Sequence, residues 1–247
     1  LYAARPSAGA LLEKTSRGEI DWTDGYVVAY GRARLIKGPD PGICSSIARR
    51  AAILGARARA LEILQGMNLD GGTTVKVSVS KNQRLLYELK GLIARAGAFD
   101  QQEDKGFYNV KIKVPLYGVH GVQDIFLDEY GKSNAGVGQS VPTRRVVIDA
   151  RGTGLRPALF VKIKDQTGRD IYTARDVSMS RLQDRGMAEY VTSTATEQGD
   201  VVVRALSAAG PEHSDIVVSF ADADRLTGAD GALPGGNVVI IADPPTE

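Results

Sequence analysis

Polar and apolar residues alternate along several stretches of the amino-terminal half. In residues 108–116 (YNVKIKVPL), Tyr108, Val110, Ile112 and Val114 oppose Asn109, Lys111 and Lys113, the period-two pattern of a half-buried strand. Residues 73–80 (TTVKVSVS) alternate in the same way, with Val75, Val77 and Val79 on one side, and are read as another strand. Residues 20–36 carry Trp22, Tyr26, Val28 and Tyr30, interrupted by the turn dipeptide Asp24-Gly25, so they form a short hairpin or one long bulged strand. The period then changes. After Pro39-Asp40-Pro41-Gly42, with Ser45 or Ser46 as cap, residues 47–65 place Ile47, Ala51, Leu54, Ala58, Leu61 and Leu64 three and four apart, a helix with one apolar stripe. A second helix begins at Asn82, buries Leu85, Leu86, Leu89, Leu92 and Ile93, and stops at Gly97. The expected fold class is α+β, with these two helices packed on one face of a mostly antiparallel sheet.

Residues 118–143 are rich in glycine and serine around one apolar island, 122–130 (VQDIFLDEY), read as a linker with a short helix, either docked or tethering. Beyond it come strand-like runs at 145–150, 158–164, 169–174, 200–208, 215–220 and 237–242, with 186–194 as a possible helix position. The second half is therefore expected to be a small β-rich α/β sheet domain, some of whose runs are buried on both faces. The division is 1–19 as an arm, 20–117 as the first domain, 118–143 as linker, 144–243 as the second domain and 244–247 as a tail.

Charge adds a polarity to this organisation. The net charge of the 247 residues is +2, but residues 1–118 carry +7 and residues 119–247 carry −5. Two oppositely charged modules attract one another, within a molecule or head-to-tail between copies, unless the drift is only surface variation. The small total gives no reason to expect a nucleic-acid partner, and no apolar run has the length of a membrane span. One cysteine, Cys44, rules out an internal disulfide, and two histidines, His120 and His213, leave little for a zinc site.

Candidate chemistry is sparse. Arg151-Gly152-Thr153-Gly154 follows a strand, but a dinucleotide loop needs a third glycine and a helix start, and Pro157 stands there; a tight turn is expected instead. Asp222, Asp224 and Asp230-Gly231 resemble pieces of a calcium loop, yet Leu226, Thr227 and Leu233 fall where ligands, glycine and closing glutamate belong, so an acidic solvent loop is expected. Both histidines sit in loop-like sequence, and Cys44 is expected to be a buried small hydrophobe. No catalytic residue, cofactor or metal is assigned.

Three stretches in order, Ile20-Asp21-Trp22 leading into Val27-Val28-Ala29-Tyr30-Gly31, then Ala48-Arg49-Arg50-Ala51-Ala52 continuing to Ala60-Leu61-Glu62-Ile63-Leu64 and Gly66, then Thr73-Thr74-Val75, resemble bacterial envelope proteins related to the twenty-kilodalton outer-membrane lipoprotein. That family includes flagellar basal-disk proteins and the amino-terminal part of flagellar assembly protein T. The run from Val146-Val147-Ile148-Asp149-Ala150-Arg151-Gly152 to Leu159, and the region 219–241, are similar to segments that follow this domain in longer members. The resemblance implies an exported, non-catalytic protein of the periplasm, outer membrane or cell surface. Lipoprotein members begin their mature chain on an acylated cysteine; Leu1 stands here, so lipid anchoring of this form is not expected. The expected function is a structural subunit of a ring, disc or filament, flagellum-associated, whose partners are copies of itself together with flagellar or outer-membrane components. Arg49, Arg50, Arg57 and Arg59 are the candidate subunit contacts, a hydrated helix flank being the plain alternative. Two other readings stand beside it: a filament or tube unrelated to motility, and a monomeric module that captures an envelope polysaccharide or protein in a groove between the domains, with Trp22, Tyr26 and Tyr30 as lining or as core.

Overall fold

The computed structural model describes residues 9–130, 144–227, 233 and 237–244, and its fold is α+β. After β1 (Gly9–Ala10), the strands β2 (Leu12–Thr15), β3 (Gly18–Asp21) and β4 (Tyr26–Arg34) run antiparallel, joined through the Asp24-Gly25 turn, where Gly25 has φ +71°. Residues 20–34 thus belong to a hairpin, and the described part of the expected amino-terminal arm, residues 9–19, is mostly strand. Then follow α1 (Pro41–Gly66), β5 (Asn68–Asp70), β6 (Thr73–Thr74), α2 (Val75–Lys81), α3 (Gln83–Arg95), β7 (Ala98–Asp104), β8 (Phe107–Pro115) and α4 (Val122–Tyr130). The first sheet has the order β2-β3-β4-β8-β7 and is antiparallel throughout.

Helix α1 starts six residues earlier than its apolar pattern suggests. Asp40 is the cap: its Oδ1 accepts from Gly42 N at 2.8 Å and Ile43 N at 3.1 Å, with Pro41 in the first turn where a missing N–H costs nothing. Replacing Asp40 by alanine is expected to lower stability by about 1 kcal/mol in urea unfolding. The face turned inward also differs from the expected stripe. Cys44, Ala48, Ala52, Ala56 and Ala60 are buried, whereas Ile47 and Leu54 are 47% and 64% exposed. Alanine is chosen because the helix lies almost on the sheet: a β-carbon at Gly31 in β4 would be 2.1 Å from the Ala52 carbonyl oxygen. Only α1 has extensive contact with that sheet; α2 and α3 pack against α1, so the expected pair of helices on the sheet is one helix with others layered upon it.

Residues 75–81 form a helix rather than the expected strand. Thr74 caps it by accepting from Val77 N, and Val75 and Val79, four apart, are buried while Val77 is 39% exposed. Alternating valines satisfy a helix whenever only every second one must face inward. The island in the glycine-rich segment is α4, docked through fully buried Val122 and Phe126, and Gln123 Nε2 donates to Leu159 O at 3.0 Å. Residues 131–143 lie outside the described residues.

The second half comprises β9 (Val146–Asp149), β10 (Ile163–Lys164), β11 (Asp170–Tyr172), α5 (Met179–Arg185), β12 (Glu189–Ser193), β13 (Val201–Arg204), β14 (Ser207–Ala209), β15 (Asp215–Val217), α6 (Phe220–Thr227) and β16 (Val238–Ile241). Strands β12, β16, β9 and β13 pair in parallel, and β1 adds itself antiparallel to β12, so the start of the chain closes the second sheet. All four residues of β16 are buried, as a solid aliphatic run in a parallel sheet requires. A smaller sheet, β11-β10-β15-β14, contains the expected hairpin around residues 165–168. The stretch 186–194, offered as a helix position, is strand β12; the helix precedes it, capped by Ser178 and ended at Gly186 with φ +73°. Residues from both halves share one buried hydrophobic cluster.

Candidate functional site

The sequence-derived contact residues all lie on α1, yet three of the four are engaged within the chain. Arg49 Nε donates to Gln101 Oε1 at 2.7 Å, Arg57 Nη2 to Ala94 O at 2.6 Å and Arg59 Nη1 to Tyr30 O at 2.8 Å. They tie α1 to β7, to the end of α3 and to the middle of β4. Arg50 is exposed. The same outward side of α1 carries what charge counting did not show. Ile43, Ile47 and Leu54 are 60%, 47% and 64% exposed, with exposed Ala51 and Ala58 completing the three-and-four spacing. These sixteen residues of helix, 43–58, present an apolar ridge about 22 Å long. The stripe read from the sequence is real, but most of it faces outward.

A second concentration of polar side chains sits where the halves join. Strand β5 inserts into the second half, with Leu159 N donating to Asn68 O at 3.1 Å and Phe160 N to Leu69 O at 2.7 Å. Around this graft, Lys162 Nζ meets Asp70 at 2.9 Å and Lys164 Nζ meets Asp215 at 2.9 Å, while Gly71 N donates to Asp215 Oδ1 at 2.9 Å. The aspartates are buried and the lysines reach water, so each pair is a clasp between segments distant in sequence. Beside it opens a cleft of about 780 Å³ floored by Asp70, Lys162 and the Tyr130 ring, which stacks on Phe160 at 3.9 Å. Burial, and then the negative charge of Asp70, push the Tyr130 phenol far above its ordinary value, so it stays protonated as a hydrogen-bond donor. Among the described residues, no three His, Cys, Asp or Glu side chains are placed to hold a metal ion.

The weighed motifs resolve locally. Arg151-Gly152-Thr153-Gly154 is a turn, with φ +77° and +70° at its glycines and no helix after it. Asp222 lies in α6 instead of the expected solvent loop, bonded to Ser219 and Arg225, which takes its carboxylate away from any calcium geometry; Asp230-Gly231 lies outside the described residues. His120 and His213 are exposed loop residues and Cys44 is buried. Trp22 is 2% exposed and packs edge-on against Tyr190, 5.7 Å between ring centres, so it is core joining the two halves. Tyr26 and Tyr30 belong to the opposite face of β4, capped by the ammonium groups of Lys113 and Lys111 at 3.4 and 5.8 Å.

With this geometry in view, known families bear on the second half. Residues 145–244 match the family model described as Treponema pallidum Tp0624, second domain. The match runs from the residue before β9 to just past β16, taking in both sheets of that half and indicating a second domain there. No curated protein matches the chain. The Tp0624 second-domain match leaves residues 1–144 aside and shows no relation to the twenty-kilodalton lipoprotein or to flagellar proteins.

Proposed function

We infer that the chain is a non-catalytic structural subunit of a self-assembling bacterial envelope structure, a ring, disc or filament of flagellar association, exported to the periplasm or outer surface. The observation that carries this reading is the outward ridge of α1. A helix whose alanine face already satisfies the sheet has no folding need for Ile43, Ile47 and Leu54 on its other side, and exposed aliphatic side chains at helical spacing are the anchors of helix-mediated association. The occupant is a second copy of this chain, docking on the ridge, with Arg50 at its margin. No helix among the described residues is long and apolar enough to cross a membrane. Because Arg49, Arg57 and Arg59 are occupied within the chain, attraction between charged halves is secondary to burial of the ridge, and association is expected to survive added salt.

Light scattering with sedimentation at low and high salt tests the reading. The wild-type chain is expected to form oligomers at both, and Leu54→Glu with Ile47→Glu to yield a monomer of unchanged melting temperature, since both side chains are exposed. A wild-type chain that stays monomeric at about 100 μM, well above the micromolar constants of functional association, sinks the proposal.

A further inference from the structure

A further cleft of about 650 Å³ opens between the β3–β4 turn and α5. Its walls are Trp22, Tyr26, Pro115 and Tyr117 from the first half and Arg181 and Ala188 from the second. The Tyr117 ring is gripped from both sides: β-carbons at Gly25 and Gly186 would lie 2.5 Å from its Cδ2 and Cε1. Both glycines have positive φ, at +71° and +73°, so a side chain at either would meet strain as well as the ring. The cleft is therefore a preformed feature of how the halves lock, with a fixed aromatic wall.

Arg181 is the unusual member. Its backbone N donates to Ser178 Oγ at 3.3 Å as part of the α5 cap, but its guanidinium makes no hydrogen bond and no ion pair with any described residue. The Nε is enclosed without a partner. Asp184, one turn on, is paired to Arg185 at 3.4 Å, and Glu189, which has a partner of its own, acts on Arg181 through space. Burial pushes the Arg181 guanidinium below its ordinary value, the direction expected of a cation withdrawn from water without adequate compensation. Packing does not require this. A methionine or leucine would fill the same space without desolvating a charge, and Arg181 is half-buried with its Nε enclosed, so part of a cation is withdrawn from water without a partner, which costs stability. Two further cations, Lys113 and Arg185, line the cleft together with three carboxylates, Asp24, Asp184 and Glu189; with Asp184 paired to Arg185 and Glu189 engaged elsewhere, Arg181 is the cation left for a ligand.

We propose that this cleft binds an organic anion, a carboxylate or phosphate monoester carried on a flat apolar body, with Arg181 as the clamp and the Pro115–Tyr117 side, backed by Trp22, as the apolar wall. The planar guanidinium fork matches either oxyanion with two parallel N–H···O bonds. Volume agrees, since small-molecule sites span about 300–1,000 Å³ and combine apolar walls with few polar anchors.

Trp22 is the single tryptophan and borders the cleft, so its fluorescence, with calorimetry, reports occupancy. The probes are phenyl phosphate and benzoate, with benzyl alcohol and inorganic phosphate as controls. Saturable binding of phenyl phosphate or benzoate is expected, with benzyl alcohol inert and inorganic phosphate weaker; which of the two anions binds tells phosphate from carboxylate. Arg181→Met is expected to weaken binding at least about tenfold while melting at or above the wild-type temperature, because it removes an uncompensated charge. Arg185→Met, at the margin, is expected to retain most of the affinity. A merely structural arginine gives the opposite signature, an earlier-melting Arg181→Met. That signature, equal binding by Arg181→Met, inorganic phosphate binding as tightly as phenyl phosphate, or no saturation by either aromatic anion up to about 10 mM would each overturn the proposal.

Discussion

Gly31→Ala is expected to lower stability by about 3 kcal/mol, a large effect for one methyl group. The added β-carbon would stand 2.1 Å from the Ala52 carbonyl oxygen, 2.8 Å from Val110 Cγ1 and 2.9 Å from the Ala56 β-carbon. The first of these is helix backbone, which has no rotamer to escape into, so α1 must lift from the sheet along its middle turns. Overpacking of a close-packed core costs about 1–3 kcal/mol, and the lifted helix also loses contacts of Ala48, Ala52 and Ala60. The entropy gained by removing a glycine from the unfolded chain, about 0.4–1 kcal/mol, offsets only part of this. Gly55→Ala supplies the control: it lies on the same helix, a β-carbon there meets nothing within 4 Å, and it should stabilise by about 0.5–1 kcal/mol. Urea midpoints moving in opposite directions are the expected result. If Gly31→Ala unfolds at the wild-type midpoint, the contact between helix backbone and sheet is not as close as described.

That contact also explains where the sequence misleads. A pattern reader ranks Ile47 and Leu54 above alanine as buried residues, because each removes more apolar area from water. Here the space available, not the transfer energy, decides which face goes in. Of the stripe Ile47, Ala51, Leu54, Ala58, Leu61 and Leu64, only Leu64 is fully buried, and the alanines at 48, 52, 56 and 60 take the inner face. The signal was present as a glycine inside a strand, Gly31, which marks close backbone approach, together with a small residue every fourth position. Residues 75–81 failed for another reason: period two and period four coincide at Val75 and Val79, and nothing local says that Val77 may face water. The Asp24-Gly25 turn, α3 and the all-buried β16 were legible because each depends on a turn dipeptide, a cap or a solid apolar run that acts at short range, although residues 20–36 read equally as a hairpin or one bulged strand. Functional surfaces were legible only in part. The arginines of α1 could be found by charge, but their partners Gln101, Ala94 and Tyr30 are tens of residues away. Arg181 carries no local mark at all; its isolation arises only when α5 and the β3–β4 turn meet across the junction.

The same junction yields the other large effect. Asp215→Ala is expected to cost about 3 kcal/mol, from a buried amide left without its acceptor and the cavity beside it. Asp215 is 3% exposed and accepts from Gly71 N and Lys164 Nζ, both at 2.9 Å. Gly71 is pressed against it, since a β-carbon there would be 2.5 Å from Asp215 Cγ, so the loss leaves both a cavity and a buried amide without an acceptor. Lys164 suffers less, because its partly exposed ammonium can swing toward Asp170, now 3.8 Å away, or into water. The amide therefore accounts for more of the cost than the charge does, and Asp215→Asn, which keeps an acceptor for Gly71, should lose roughly half as much. Lys164→Met should be mild for the same reason, and combining it with Asp215→Asn should cost less than the sum of the two. The readout extends beyond the midpoint. Because both halves share one hydrophobic cluster, the wild-type chain is expected to unfold in one step, and removing the clasp that holds β5 in the second half should separate the transitions, with a shallower denaturant slope for each. If Asp215→Ala retains a single transition within about 0.5 kcal/mol of wild type, the range of an ordinary surface substitution, then the polar graft is not what binds the halves and their shared apolar core does so alone.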